Sequence, residues 1–223
     1  KDEDGSPLLE KILDAAGQKG TGKWTGINAL DLGVPLTLIS ESVFARCLSS
    51  LKEERQTAQA LFNKQIVPVA YVDEEAKQQW LETLRKALLA SKIISYAQGF
   101  MLMQQASEEH KWNLNYGNVA MMWRGGCIIR SAFLENIRDA FGADEQLHFL
   151  GSDPYFKDIL EQCLPSWRAL CSKSIEIALP MPCMTSALSF LDGYTCARLP
   201  ANMIQAQRDY FGAHTYERVD KKR

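Results

Sequence analysis

The chain has 223 residues, with 25 Lys plus Arg against 27 Asp plus Glu, a formal net charge of −2. That balance excludes the clustered basic excess of a nucleic-acid or anionic-membrane binder. Hydrophobic residues at 46% and charged residues at 23% exclude a disordered chain, and 14 Gly with 8 Pro exclude a fibrous one. A chain of this length forms one large domain or two small ones and buries roughly 70–75% of its unfolded surface, so its core needs no staple.

In chain order the signals are helical. Leu8, Leu9, Ile12, Leu13 and Ala16 recur at helical spacing, with Gly17 as a stop. Trp24 to Leu32 reads as a short helix ended by Gly33, and Pro35 opens another that runs to about Gln59. Residues 66–72 form the one β-like run, but Pro68 cannot donate to a ladder, so an extended connector is expected.

From Asp73 to about His110 comes the longest periodic stretch. Asp73 is its N-cap, and Trp80, Leu81, Leu84, Leu88, Ile94, Ala97 and Met101 form its apolar stripe. Later helices are expected at about 118–131, with Gly125 and Gly126 inside for close packing, and at 132–141, 154–164, 166–179, 185–197 and 201–210. No strands alternate with helices. The fold class is all-α: a large multi-helix domain around one long helix. A weak echo between Val34-Pro35-Leu36 and Leu179-Pro180-Met181 raises two duplicated antiparallel bundles as an arrangement.

The sharpest local signal is Ala16-Gly17-Gln18-Lys19-Gly20-Thr21-Gly22-Lys23-Trp24. It fits G-x-x-x-x-G-K, but Trp24 stands where a P-loop needs Ser or Thr for magnesium, and no strand precedes it. What survives is an anion site of glycine amides, a helix N-terminus and flanking Lys19 and Lys23, set against a plain flexible basic turn. Arg46, in Phe44-Ala45-Arg46-Cys47-Leu48, is either a helix-edge arginine with a buried stem or a bidentate anion clamp. Arg208 and His214, in Gln205 to His214, could supply a planar anion donor and a hydrogen bonder from one compact turn. For Arg124, packing is the expected role.

The six cysteines contain no C-x-x-C pair and the three histidines are scattered, so no metal site is expected. Six reduced thiols packed in a cytoplasmic protein is the expected state. The most apolar stretch, Ala87 to Met103, is interrupted by Lys92 and Gln98, so no membrane span is expected. The start at Lys1 and the charged run Asp220 to Arg223 read as cuts within a longer protein.

The strings AGQKGTGKWT, SVFARCLSS, ASKIISYAQGFML, WRGGCIIRS, PMPC-TSALSF-DGY and QAQRDYFGAHTYE resemble the C-terminal region of the 6-phosphogluconate dehydrogenase family, from about Leu9 to Glu217. The resemblance implies the all-helical part of an NADP-dependent enzyme that converts 6-phosphogluconate to ribulose 5-phosphate and CO2 in the pentose phosphate pathway. It implies a dinucleotide-binding domain before this chain, which holds most of the NADP contacts, and a tail beyond it. The family's proton-transferring Lys and Glu precede the matched region, so no catalytic residue is assigned here and the chain alone is expected to be inactive. Carried over residue by residue, Lys19, Thr21 and Arg46 match substrate binders. Arg208 and His214 match contacts that each subunit of a homodimer lends to its neighbour. The expected partners are thus 6-phosphogluconate and a second copy, with no nucleic acid and no membrane. An alternative is a dimerisation scaffold whose ligand site is incomplete and idle. A related β-hydroxyacid dehydrogenase with another substrate is disfavoured by the concentration of cations suited to phosphate.

Overall fold

A computed structural model describes residues 1–62 and 73–221, in two compact units, Lys1–Leu188 and Ser189–Arg223. All its regular elements are helical among the described residues: α1 (Thr21–Asp31), α2 (Thr37–Ser50), α3 (Lys52–Phe62), α4 (Glu74–Glu109), α5 (Tyr116–Met122), α6 (Leu134–Ala143), α7 (Pro154–Glu176), α8 (Pro182–Tyr194) and α9 (Ala201–Gly212). The expected connector at 66–72 lies outside the described residues.

The first unit is built on α4. Its 36 residues make a rod of about 54 Å at 1.5 Å per residue. Asp73 caps it as expected, its carboxylate accepting from Ala76 N–H at 2.8 Å. Between Ala87 and Phe100 the rod is buried almost all round, with Ala87, Ala90, Ile93, Ile94 and Ala97 fully enclosed. Small side chains there let α7 approach closely. Along α7, Phe156, Leu160, Cys163, Trp167, Leu170 and Cys171 repeat at helical spacing and are all buried.

Aromatic rings bind the remaining elements to the rod. Phe100 on α4 lies 5.0 Å from Phe141 on α6 and 5.5 Å from Trp123 at the end of α5. Tyr96 packs edge-on to Phe133 at 5.2 Å, and its hydroxyl donates to the Ile129 carbonyl.

The hold on α2 is different in kind. Gln98 of α4 is completely buried, yet its carbonyl oxygen accepts from Leu38 N–H at 3.0 Å and its amide donates to Thr37 Oγ1 at 2.9 Å. The long helix thereby caps the N-terminus of α2, which has no cap from its own N-cap residue, Leu36.

Several sequence expectations are corrected. Leu8 to Ala16 forms only a 3-10 turn at Leu8–Lys11, because Leu9, Ile12 and Leu13 find no covering surface among the described residues. The helix expected to run to Gln59 breaks at Leu51, whose ψ of 51° separates α2 from α3. Gly125 and Gly126 lie beyond α5 in a turn, Gly126 at φ +65°. Pro165 does not divide α7: it faces solvent, while Cys163 and Trp167 on the other side are packed, so burial outweighs the lost bond. The first half of the predicted α4 stripe is open, with Leu81, Leu84 and Leu88 exposed. The echoed segments do open helices equivalently, α2 at Thr37 and α8 at Pro182. No described helix is long and apolar enough to cross a membrane.

Replacing Gln98 with Leu keeps the volume but leaves the Leu38 N–H and Thr37 hydroxyl without partners. We expect a loss of about 1–3 kcal/mol, seen as a fall in Tm of roughly 2–4 °C per kcal/mol. An unchanged Tm would mean that this cap does not hold α2.

Candidate functional site

The first candidate cluster is made by α1 crossing α2. Gly20, the N-cap of α1, sits at φ +114°, a conformation open to glycine and costly for other residues. No side chain caps α1, so its first N–H groups, from Thr21 onward, are free of intrahelical and capping partners. The helix begins at Thr21 rather than at about Trp24, which brings Thr21 into the first turn and Lys19 just before it. At its far end Gly33 has φ +68°, the C′ stop expected from the sequence, with Val34 N–H bonded back to the Ala29 carbonyl at 2.8 Å.

Three contacts set the register of the crossing. Gly26 faces Ser40, and Gly22 faces Val43 so closely that a β-carbon on Gly22 would lie 2.7 Å from Val43 Cγ2. Further back, the Ser49 hydroxyl accepts from Ala16 N–H at 2.9 Å. The segments therefore run antiparallel. Lys19 falls midway between Ala16 and Gly22 on one side, and Arg46 midway between Val43 and Ser49 on the other. The register thus brackets Lys19 and Arg46 between the same two contacts, near the open N-terminus of α1. Lys19, Thr21 and Arg46 are all exposed, and among the described residues neither Lys19 nor Arg46 has an ion-pair partner.

Neighbouring cations behave otherwise. Lys11 is paired with Asp2 and Asp4, and Asp14 takes both Lys52 Nζ at 2.5 Å and Arg55 Nη1 at 3.1 Å. The hydrogen bonds from Lys52 and then Arg55 pull the Asp14 carboxyl down to about 2.

The second cluster lies in the second unit. Arg208 of α9 and His214 line one cleft of about 810 Å³, together with Arg198, Asn202, Gln205 and Arg218. The turn after α9 is bent by Ala213 at φ +51° and Thr215 at φ +60°, and Asp209 accepts from Thr215 N–H at 2.8 Å. Gly212 lets the imidazole lie across the helix end: a β-carbon there would come within 3.0 Å of His214 Nε2. Arg218 is held by Asp220, whereas Arg198 adds a cation that the sequence reading missed.

Another cleft, of about 620 Å³, lies among the end of α4, α5 and α6. Glu108, Glu145, Arg138 and His148 line it, and Arg138 is bound to Asp139. None of the sequence-predicted site residues borders it. Arg124, for which packing was expected, instead pairs with Glu135 at 2.9 Å on the surface, both side chains being about half exposed. All six cysteines are free, but Cys47 and Cys196 are exposed rather than packed. Among the described residues no group of three His, Cys, Asp or Glu converges to hold a metal ion.

With this geometry in place, comparison decides the family. The sequence profile described as 6-phosphogluconate dehydrogenase, C-terminal domain, matches residues 1–223. The chain belongs to the 6-phosphogluconate dehydrogenase family. It is similar to the decarboxylating 6-phosphogluconate dehydrogenase of Haemophilus influenzae, 68% identical over all of this chain and 45% of that protein. The Mus musculus enzyme of the same name is 59% identical over 99% of this chain and 45% of its own length. Among solved structures, it resembles Plasmodium falciparum 6-phosphogluconate dehydrogenase, studied in its apo form, with its cofactor NADP+ and with its substrate 6-phosphogluconate. That likeness has a TM-score of 0.91 at 41% identity and covers all of this chain and 47% of the other. The chain thus spans about half the length of the relatives it matches.

Two outcomes test the local geometry. Gly22→Ala should destabilise the α1–α2 crossing by about 1–3 kcal/mol, against the usual helix preference for Ala, and Val43→Ala should restore it. Chemical unfolding of the single and double variants measures both. Because the Asp14 carboxyl is lowered in the folded state, its ion pairs hold above the ordinary carboxylate range and are lost as pH falls from about 4 toward 2. Amide exchange at residues 14–19 should rise across that window in the native chain and be raised already at neutral pH in Asp14→Asn.

Proposed function

We propose that this chain is the helical, substrate-binding part of a decarboxylating, NADP-dependent 6-phosphogluconate dehydrogenase of the cytoplasm. The observation that carries the reading is the α1–α2 register, which supports Lys19, Thr21 and Arg46 as one anion-binding group. Arg46 offers a planar fork to phosphate, Lys19 a mobile point charge, and Thr21 a hydroxyl beside the free amides of α1. Such a grip on the phosphate end holds the far part of 6-phosphogluconate where reaction is to occur. Catalysis from this chain is then positioning, with binding energy from a remote group spent at the reacting carbon.

Arg208 and His214, gathered in one cleft of the second unit, are read as the contacts lent to the neighbouring subunit of a homodimer. Exposed Trp24 and Leu30 on α1, Phe44 and Leu48 on α2, and Tyr210 and Phe211 on α9 support that reading, since so much apolar surface calls for a covering partner. NADP is assigned to the remainder of the full-length protein. Among the described residues there is no strand, hence no strand–turn–helix unit of the kind that cradles a pyrophosphate, so the main NADP contacts are assigned outside them. No step is derived through it, and no proton-transferring pair is assigned to this chain.

Calorimetric titration with 6-phosphogluconate at low salt tests the reading. Arg46→Ala should weaken binding about tenfold to hundredfold in the full-length enzyme, with a smaller effect on gluconate, which lacks the phosphate. Equal losses for both ligands would refute a phosphate clamp. The chain by itself should give no NADP reduction.

A further inference from the structure

The segment that carries Lys19 is not a free loop, and what holds it is the same residue that touches the backbone of Arg46. Ser49, half-buried one helical turn after Arg46, receives the Ala16 N–H at 2.9 Å. Its own proton goes to the Arg46 carbonyl at 2.7 Å, with the Ala16 carbonyl 3.3 Å away. One hydroxyl therefore links the backbone three residues before Lys19 to the backbone of Arg46.

Arg55, in the first turns of α3, closes the arrangement from the other side. Its Nη2 donates to the Ser49 carbonyl at 2.9 Å and to the Asp14 carbonyl at 3.0 Å, while Nη1 reaches the Asp14 carboxylate. The guanidinium bridges the C-terminal end of α2, where carbonyls lack helical partners, to the incoming chain. Its charge is taken up by Asp14 and by these carbonyls. It is thereby a brace, whereas Lys19 and Arg46 keep their charge for a ligand.

We propose that Ser49 and Arg55, with Asp14, are positioning residues for the anion site: they fix the Ala16–Gly20 segment against α2 so that Lys19 is held in register with Arg46. This rests on the reading of Lys19 and Arg46 as phosphate binders. Without the brace, Lys19 would sit on a glycine-rich tether, and the entropy of ordering it would weigh against each binding event. Sub-ångström support of this kind separates a preformed site from a loose one.

The test is made in the full-length enzyme, where KM for 6-phosphogluconate and kcat are read separately. Ser49→Ala is the chosen variant, since Ala suits a helix and only the linking hydroxyl is lost. We expect KM for 6-phosphogluconate to rise about threefold to tenfold, kcat to fall to the extent that the phosphate grip also places the reacting carbon, and the KM for NADP to change little, with Ser49→Thr, which keeps a hydroxyl, recovering most of the loss. Arg55→Ala should act in the same direction. If the brace acts through Lys19, Ser49→Ala should add almost nothing in a Lys19→Ala background. An unchanged KM in Ser49→Ala, or an undiminished effect on top of Lys19→Ala, overturns the positioning role alone. A Lys19→Ala enzyme with its KM unaltered overturns the phosphate-site reading beneath it as well.

Discussion

A buried amide holds α2 to the scaffold. Gln98 lies in the enclosed stretch of the long helix with Ile94, Ala97 and Phe100, and a polar group there is tolerated because both its ends are bonded, to Leu38 N–H and to Thr37. The capping amide does for α2 what an N-cap side chain does for other helices, but from a different element. It ties the start of α2 to the buried core of the α4–α7 pair. From that fixed start α2 runs to Ser49, and α1 is located on α2 through Gly22 and Gly26. The position of Arg46 is thus set by a chain of contacts that begins in the core.

The sequence was most informative where local chemistry decides structure. Asp73 before Glu74-Glu75, Pro154 after Asp153, and Gly33 after Leu32 each mark a terminus that forms as read, because caps and stops act within a turn. It was least informative where tertiary packing decides. Leu8 to Leu13 has helical spacing but no surface to bury against, whereas α7 survives Pro165 because Trp167 and its neighbours are enclosed. Gln98 looked like an interruption of an apolar stretch; its value lies in a partner 60 residues earlier, which no periodicity reveals.

For the site the division is similar. Lys19 and the glycine-rich turn, Arg46, Arg208 and His214 stood out as residue types suited to anions. Their grouping did not, since it depends on the antiparallel register that brackets Lys19 and Arg46 between the same contacts. Ser49 and Arg55 carried no signal at all: one is a serine in Ser49-Ser50, the other the end of the mixed run Lys52-Glu53-Glu54-Arg55. Only the bonds they make distinguish them.

Charge partition gives the arrangement its sense. In the first unit Lys11, Lys52 and Arg55 are matched by Asp2, Asp4 and Asp14, so they serve the fold. An exposed cation without a partner adds little to stability and loses little when a ligand takes it, because no existing bond has to break. Lys19 and Arg46 belong to that second kind. Their guanidinium and ammonium groups are solvated and uncommitted, while the backbone beneath them is fixed by Ser49 and Gly22. On the proposed reading, a framework already fixed by these contacts would spare an anion the cost of assembling it.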